Sequence, residues 1–242
     1  MGRAVQREPH PADRTEVVTL PAYGGSIATR PTEAFAGDAA THAYYEARAA
    51  EYDEWYAGTG RFAARERPGW SEEVDRLVAL VAGLPPGRTL DVACGTGFLT
   101  RHLRGLAVGL DQSPAMVALA QGRLPGGLAL CGDALALPFA DDAFDRLFTA
   151  HFYGHLPPDE RQAFLAEAAR VAEELVVVDS ARRPGMAPEG WQERTLNDGS
   201  THRVLKRYLA PAGLVDELGG GEVLLDGDWF VAVSARTGPH PR

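Results

Sequence analysis

Three observations predict an α/β fold, a three-layer sandwich whose seven-stranded sheet is mostly parallel and ends in an antiparallel hairpin. Apolar strands alternate with helices, a glycine-bearing turn follows the first of those strands, and the last two strands stand too close together for a crossover. Arg88–Ala93 reads as the first short apolar strand, and Gly95-Thr96-Gly97 then opens a helix running to about Leu103. Leu106–Asp111 is the second strand, and Ser113-Pro114 starts a helix with an N-cap and a proline at its first position. Leu128–Cys131 and Phe144–Thr149 are the third and fourth strands. Asp159 and Gln162 form a capping-box pattern ahead of a helix that buries Phe164, Leu165, Ala168, Val171 and Ala172. Leu175–Asp179 is almost continuously apolar, as a strand covered on both faces must be. Such alternation means βαβ crossovers and a parallel sheet. Pro211–Leu218 is a short helix closed by Gly219-Gly220-Gly221. Only Asp226-Gly227-Asp228 separates Glu222–Leu225 from Trp229–Ser234, so these two strands pair as a hairpin.

Upstream of the alternation the pattern is weaker. Residues 1–40 carry Pro, Gly, Arg and Thr without a period and read as an irregular arm. In residues 41–57, Tyr45, Ala49, Tyr52 and Tyr56 recur at helical spacing behind Thr41, a suitable N-cap, and this aromatic stripe reads as core packing on periodicity alone. Ser71 precedes Val74, Leu77, Val78 and Val81, one face of a helix that Gly83, Pro85 and Pro86 end. The organisation is therefore an arm over 1–40, a domain over 41–236 and a tail over 237–242. Within the domain, 41–86 is an N-terminal helical cap and 184–209 is an insertion.

Composition narrows the function. The chain has 242 residues, 45% of them apolar, enough for one sizeable globular domain. Its formal charge of −9 opposes phosphate backbones, so nucleic acid is not expected as a partner. The two cysteines, Cys94 and Cys131, have no metal-ligand spacing and form no disulfide framework; we read them as reduced, in a cytoplasmic protein with no bound metal. The N-terminus lacks an apolar signal core, and no run is long enough to span a bilayer, so no membrane role is expected.

The chemistry concentrates in Thr89-Leu90-Asp91-Val92-Ala93-Cys94-Gly95-Thr96-Gly97-Phe98. Glycine at a strand end lets backbone approach a ligand that a Cβ would hold off. The third glycine of a Gly-x-Gly-x-x-Gly dinucleotide turn is missing; Thr100 stands there, which disfavours a nicotinamide dehydrogenase. Asp111 ends the second strand, twenty positions after Asp91, where a carboxylate can accept both hydroxyls of a ribose. Asp133, in Gly132-Asp133-Ala134 after the third strand, can accept an adenine amino proton. All three segments lie at the carboxyl ends of parallel strands, where open α/β sheets bind ligands.

Together these residues resemble the class I, seven-stranded, Rossmann-like S-adenosylmethionine-dependent methyltransferases, in their small-molecule branch. LDVACGTGFLT resembles that family's first motif, LDQSPAM its second acidic strand end, and GDALALPFADDAFDRLFTAHFYGHL its adenine loop running into the fourth strand. YYEARAAEYDEWY resembles a segment that covers the cofactor. The likeness spans about residues 41–236, and the Pro-Gly-Gly turn frequent before the family's fifth strand is absent at Arg170–Leu175. The resemblance implies that S-adenosyl-L-methionine is the cofactor and S-adenosyl-L-homocysteine its product. It puts Gly95 and Gly97 beside the methionine and ribose, with Ala93 in the same turn, and Asp91 near the methionine amino group. It puts Asp111 on the ribose, Gln112 and Met116 beside the adenosine, Asp133 and Ala134 on adenine, and the backbone near Ala150 and His151 along the methionine end. Tyr45 or Tyr52 would close over it.

A sulfonium methyl is already electrophilic, so positioning supplies much of the acceleration, and a base is needed only if the acceptor loses a proton. His155 and then His151, just after the fourth strand, are the candidates for that base; the alternative is that His155 caps a loop and His151 packs against the cofactor. Acceptor choice is assigned to residues 184–209, with Trp191, His202, Arg203, Lys206 and Arg207, which face either solvent or an acidic or phenolic acceptor. The reading is methyl transfer to an O or N atom of a small molecule, by a monomer or homodimer. The alternative is a protein that binds the cofactor without transferring its methyl group.

Overall fold

In the computed structural model, which describes residues 16–20, 25–29 and 39–238, one seven-stranded sheet carries the site. Strands β1 (Glu16–Leu20) and β2 (Gly25–Thr29) come first, then α1 (Ala39–Arg48), α2 (Glu54–Ala57) and α3 (Trp70–Gly83). The sheet begins with β3 (Gly87–Val92) and β4 (Gly105–Asp111), followed by α4 (Pro114–Arg123), β5 (Leu128–Cys131), β6 (Phe144–Ala150), α5 (Pro158–Val171) and β7 (Ala172–Ser180). Strands β8 (Glu189–Thr195) and β9 (Thr201–Arg207), α6 (Pro211–Glu217), β10 (Glu222–Asp226) and β11 (Phe230–Arg236) complete the chain.

The strand order is β10-β11-β7-β6-β3-β4-β5. Strands β3 to β7 are mutually parallel, and β11 runs antiparallel to both β7 and β10. From β3 the chain winds outward to β4 and β5, then returns to lay β6 on the other side of β3. The crevice at that reversal, outside the carboxyl ends, is where such sheets take ligands. Alternation along each strand builds a core on both faces: Leu147 and Val177 pack with Phe164, Ala168 and Val171 of α5, whereas Phe148, Val176 and Val178 pack with Leu77 and Val81 of α3.

Several local expectations change. Within the arm expected to be irregular, β1 and β2 form an antiparallel pair, consistent with β-branched Val17, Val18, Thr19, Ile27 and Thr29; the rest of residues 1–38 lies outside the described residues. Thr41 is inside α1 rather than capping it. Asp159 lies in the first turn of α5, which starts at Pro158 behind Pro157 without a side-chain cap, so the capping box does not form. The aspartate still favours the helix N-terminus by its charge. The helix expected after Gly97 is absent; turns and one 3₁₀ turn, Thr100–His102, replace it. Gly105 pairs level with Gly87, so this connection must run back along the whole of β3, roughly 20 Å at a strand's rise per residue. The residues between Gly97 and Gly105 would cover only about 10 Å as a helix, so a looser run of turns takes its place. Residues 184–209 hold the β8–β9 hairpin, and α5 passes into β7 without an intervening turn.

One buried carboxylate ties the cap to the terminal hairpin. Glu73 of α3 is 1% exposed and accepts the backbone N–H groups of Asp228 (3.1 Å), Trp229 (2.8 Å) and Phe230 (2.7 Å). Glu73→Ala strands these donors, and each unsatisfied buried group costs about 1–3 kcal/mol. Urea unfolding should show a loss of at least about 2 kcal/mol, with a smaller loss for Glu73→Gln; an unchanged midpoint for the alanine variant would contradict this assignment.

Candidate active site at the strand tips

The turn after β3 is held in left-handed backbone at Ala93 (φ 59°), Gly95 (φ 54°) and Gly97 (φ 76°). That conformation aims the Gly95 N–H at Asp111 Oδ2, 2.9 Å away, while the Ser113 N–H donates to Asp111 Oδ1 at 2.9 Å. Ser113 Oγ in turn caps α4 by accepting the Met116 N–H (3.1 Å), so the expected N-cap is present. Burial pushes the Asp111 carboxyl above its ordinary range, against these two amide donors.

Asp91 lies beneath the same turn. Its Oδ2 accepts the Thr100 hydroxyl at 2.5 Å, and its Oδ1 is buried without a partner among the described residues. Burial pushes its pKa up to about 8. Thr100, where a dinucleotide turn would have glycine, is thus the hydroxyl that orients Asp91.

A cavity of about 370 Å³ opens over the tips of β3 to β6. Of the residues singled out from sequence, Ala93, Gly95, Asp111, Gln112, Met116, Ala134, Ala150, Tyr45, Tyr52, His151 and His155 line it. Gly97, Asp91 and Asp133 do not. A Cβ on Gly97 would stand 3.1 Å from Ala120 Cα, so this glycine admits α4 to the turn rather than a ligand to the cavity. Asp133 accepts the Leu135 N–H at 2.9 Å and shapes the loop that presents Ala134. Gln112 Oε1 is buried without a partner among the described residues.

Two carboxylates of the cap, not anticipated from sequence, hold the tyrosines over the cavity. Glu46 accepts the Ser113 hydroxyl and the Ala115 N–H (3.2 Å), placing negative charge at the N-terminus of α4. Asp53 accepts the Thr96 hydroxyl at 2.6 Å and pairs with Arg123 at 2.6 Å.

The histidines have separate environments. His155 Nδ1 lies 2.5 Å from the Leu205 carbonyl, which can only accept, so Nδ1 carries the proton and Nε2 accepts the Tyr45 hydroxyl at 3.1 Å. His151 has φ 59° and sits among Trp55 (4.8 Å), Tyr56 (5.8 Å) and Phe230 (5.4 Å), with no partner for either ring nitrogen. Burial lowers both pKa values to about 3 and keeps both rings neutral. From the β8–β9 hairpin, Val204 and Leu205 form a wall and the exposed Trp191 stands at the mouth. Arg203 is exposed beside Trp191, Arg207 pairs with Glu189 and Glu217, His202 packs on Tyr44, and Lys206 is buried against Asp179. Glu160, Phe152 and Thr41 also line the cavity and were missed, because nothing in local sequence marks a residue that only tertiary packing turns inward.

Residues 90–175 match the methyltransferase domain family. A demethylmenaquinone methyltransferase of Thermotoga maritima is 38% identical over 101 residues, 40% of this chain and 43% of that protein. The ajmaline N-methyltransferase of Rauvolfia serpentina is 35% identical over 97 residues, 36% of this chain and 33% of that protein. The chain thus spans less than half the length of these curated relatives. The structure of DhpI in complex with SAH superposes with a TM-score of 0.64 at 28% identity, covering 83% of this chain and 97% of that one. DhpI with SAM and HEP gives 0.64 at 27%, covering 81% and 96%. The sheet order and the strand-tip cavity agree with these likenesses: residues 90–175 match a methyltransferase domain, set within a seven-stranded, mostly parallel Rossmann-like sheet.

Proposed function

We propose that the chain transfers the methyl group of S-adenosylmethionine to an oxygen or nitrogen of a small-molecule acceptor, a metabolite or natural product. The observation that carries this reading is the cavity over the tips of β3 to β6, with Asp111 at its edge and, beneath its turn, an Asp91 oxygen that has no partner among the described residues. These residues fit the cofactor, S-adenosylmethionine. Each Asp111 oxygen accepts one amide and keeps a lone pair for a ribose hydroxyl. Gln112, Met116 and Ala134 flank the adenosine, and Asp133 fixes the loop that offers Ala134. Asp91 is the carboxylate left for the methionine amino group, under the turn of Ala93, Gly95 and Gly97.

Bound there, the cofactor supplies a sulfonium methyl, whose C–S bond breaks as the acceptor's lone pair forms the new bond, leaving S-adenosylhomocysteine. Tyr45 and Tyr52 close the site against water. His155 Nε2 accepts from the Tyr45 hydroxyl, and this pair is the group placed to orient an acceptor proton or relay it to Nε2, whereas His151 packs and shapes the methionine end. The segment over 184–209 provides the acceptor wall. Names such as demethylmenaquinone and ajmaline N-methyltransferase support a small molecule as acceptor.

Incubation with labelled-methyl cofactor and a panel of small acceptors tests the reading: label should pass to a small molecule, and its retention by the cofactor across the panel would count against transfer. His155→Ala should lower kcat about 10- to 100-fold while the Kd for S-adenosylhomocysteine stays within about twofold. Equal losses in both would assign His155 to folding or cofactor binding.

The Asp91 shift sets a pH dependence. Below pH 8 the free chain holds a proton on Asp91 that a cationic amino group displaces on binding. Affinity for S-adenosylhomocysteine should therefore rise from pH 6 to 8, by at most about tenfold per unit, and Asp91→Asn should flatten the slope. Because the folded pKa lies above the unfolded value, the cofactor-free fold should also lose stability as pH rises from about 4 towards 8. Calorimetry across that range that gave one slope for both proteins would remove Asp91 from the amino-group site.

A further inference from the structure

A second cavity, about 140 Å³, adjoins the first and shares Tyr45, Tyr52, His151, His155 and Val204 with it. Its charge is one-sided. Arg48, Arg65, Arg67, Arg183, Arg194 and Lys206 line it, and no aspartate or glutamate does, in a chain whose net charge is −9. Among the described residues, Lys206 alone of the six cations has a carboxylate partner, Asp179 at 2.5 Å. None of the five arginines takes part in an ion pair among the described residues.

Arg48 makes the imbalance costly. It is 9% exposed, donates from Nη1 to the Tyr44 hydroxyl (2.9 Å), and stacks on the rings of Tyr52 (4.8 Å) and Tyr44 (5.6 Å). Aromatic faces soften a cation's desolvation but do not neutralise it, and a buried charge without a counter-charge is otherwise unfavourable. Arg194 donates from Nη2 to Gln192 (2.5 Å), while its Nε is buried with no acceptor. Arg183 and Arg67 lie over Trp229 and Trp70, each 3.9 Å from the ring centroid, an arrangement that occupies guanidinium faces; Arg67 Nη1 already donates to the Trp55 carbonyl at 3.0 Å. Carboxylates therefore belong to the first cavity and its turn, at Asp111 and Asp91, and cations to the second, with His151 and His155 lining both. Planar and tetrahedral oxyanions are the ligands that convergent guanidinium edges hold best.

We propose that this second cavity is the acceptor subsite and that it selects a small molecule carrying an oxyanion, a carboxylate or a phosphate-type group, held by Arg48 and Arg194. Calling that ligand the acceptor rests on the methyl-transfer reading of the adjoining cavity; the anion preference itself does not. The oxyanion supplies the counter-charge that Arg48 lacks among the described residues, and its body extends past His151 and His155 towards the transferring methyl group.

The test is calorimetry on the full chain at fixed ionic strength, with and without saturating S-adenosylhomocysteine, using benzoate, inorganic phosphate and benzyl alcohol as probes. At least one anion should bind one-to-one, about tenfold or more tighter than neutral benzyl alcohol, and which anion binds distinguishes a planar from a tetrahedral group. Arg194→Gln and Arg48→Met should each weaken that anion about tenfold or more, with affinity for S-adenosylhomocysteine within about threefold of the parent. Arg48→Met should melt no lower than the parent in the absence of anion, since it removes an uncompensated buried charge; if it fails to fold, Arg194→Gln still decides the binding question. Absence of saturable binding by both anions, equal binding of benzoate and benzyl alcohol, or undiminished anion binding in Arg194→Gln would overturn the proposal. Loss of S-adenosylhomocysteine binding by the parent chain would instead strike the cofactor reading, and the titration of the free chain would decide the anion site separately.

Discussion

Everything at the working end of this molecule depends on one carboxylate shared by two backbone amides. Asp111 ends β4 and accepts the Gly95 N–H from the turn after β3 and the Ser113 N–H ahead of α4. Charge-assisted hydrogen bonds of this kind are shorter and stronger than neutral ones. They lock two neighbouring strand tips to each other and fix the start of α4 through the Ser113 cap. Gly95 meets the requirement because its left-handed backbone is open to glycine, and the Tyr52 ring packs over it, 3.5 Å from where a Cβ would stand. The turn, the helix and the covering tyrosine therefore share one geometry.

The N-terminal cap is attached through the same region rather than through the general core alone. Glu46 reaches the first turn of α4 and Asp53 reaches Thr96 and Arg123, so the segment carrying Tyr45 and Tyr52 is tied to the strand tips it covers. Opposite the strand tips, the β8–β9 hairpin brings Leu205 to His155 and Lys206 to Asp179. The two walls of the cavity thus come from segments more than a hundred residues apart, and each is fastened by polar contacts to the tips between them. The charge distribution follows: Asp111 lines the larger cavity, the basic groups line the smaller one, and two imidazoles kept neutral by burial line both.

Much of the architecture is legible along the chain because it depends on local period and turn chemistry. Near-continuous apolar runs mark β3 and β7, Ser113-Pro114 marks the start of α4, and the short Asp226-Gly227-Asp228 connection forces the final hairpin. Ser113 shows its hydrogen bond in sequence since a cap acts within one turn. The failures are equally physical. The helix after Gly97 does not form because the distance back along β3 exceeds what that few residues can span as a helix, a length constraint visible only once the strands are paired in register. Gly97 reads as a ligand-facing glycine, yet Ala120 of α4 needs its space.

The sequence by itself determined the layer order, the parallel sheet with its reversed edge, and the acidic residues at three successive strand ends, because each follows from side-chain periodicity or from a residue's immediate neighbours. Only the tertiary structure decided that Asp91 lies beneath the turn while Asp111 meets the cavity, that Thr100 orients Asp91, and that His155 presents Nε2 through its bond to Leu205. It alone gathered Arg48, Arg183 and Arg194 around one space, since residues so far apart in the chain converge only when long-range packing brings their elements together.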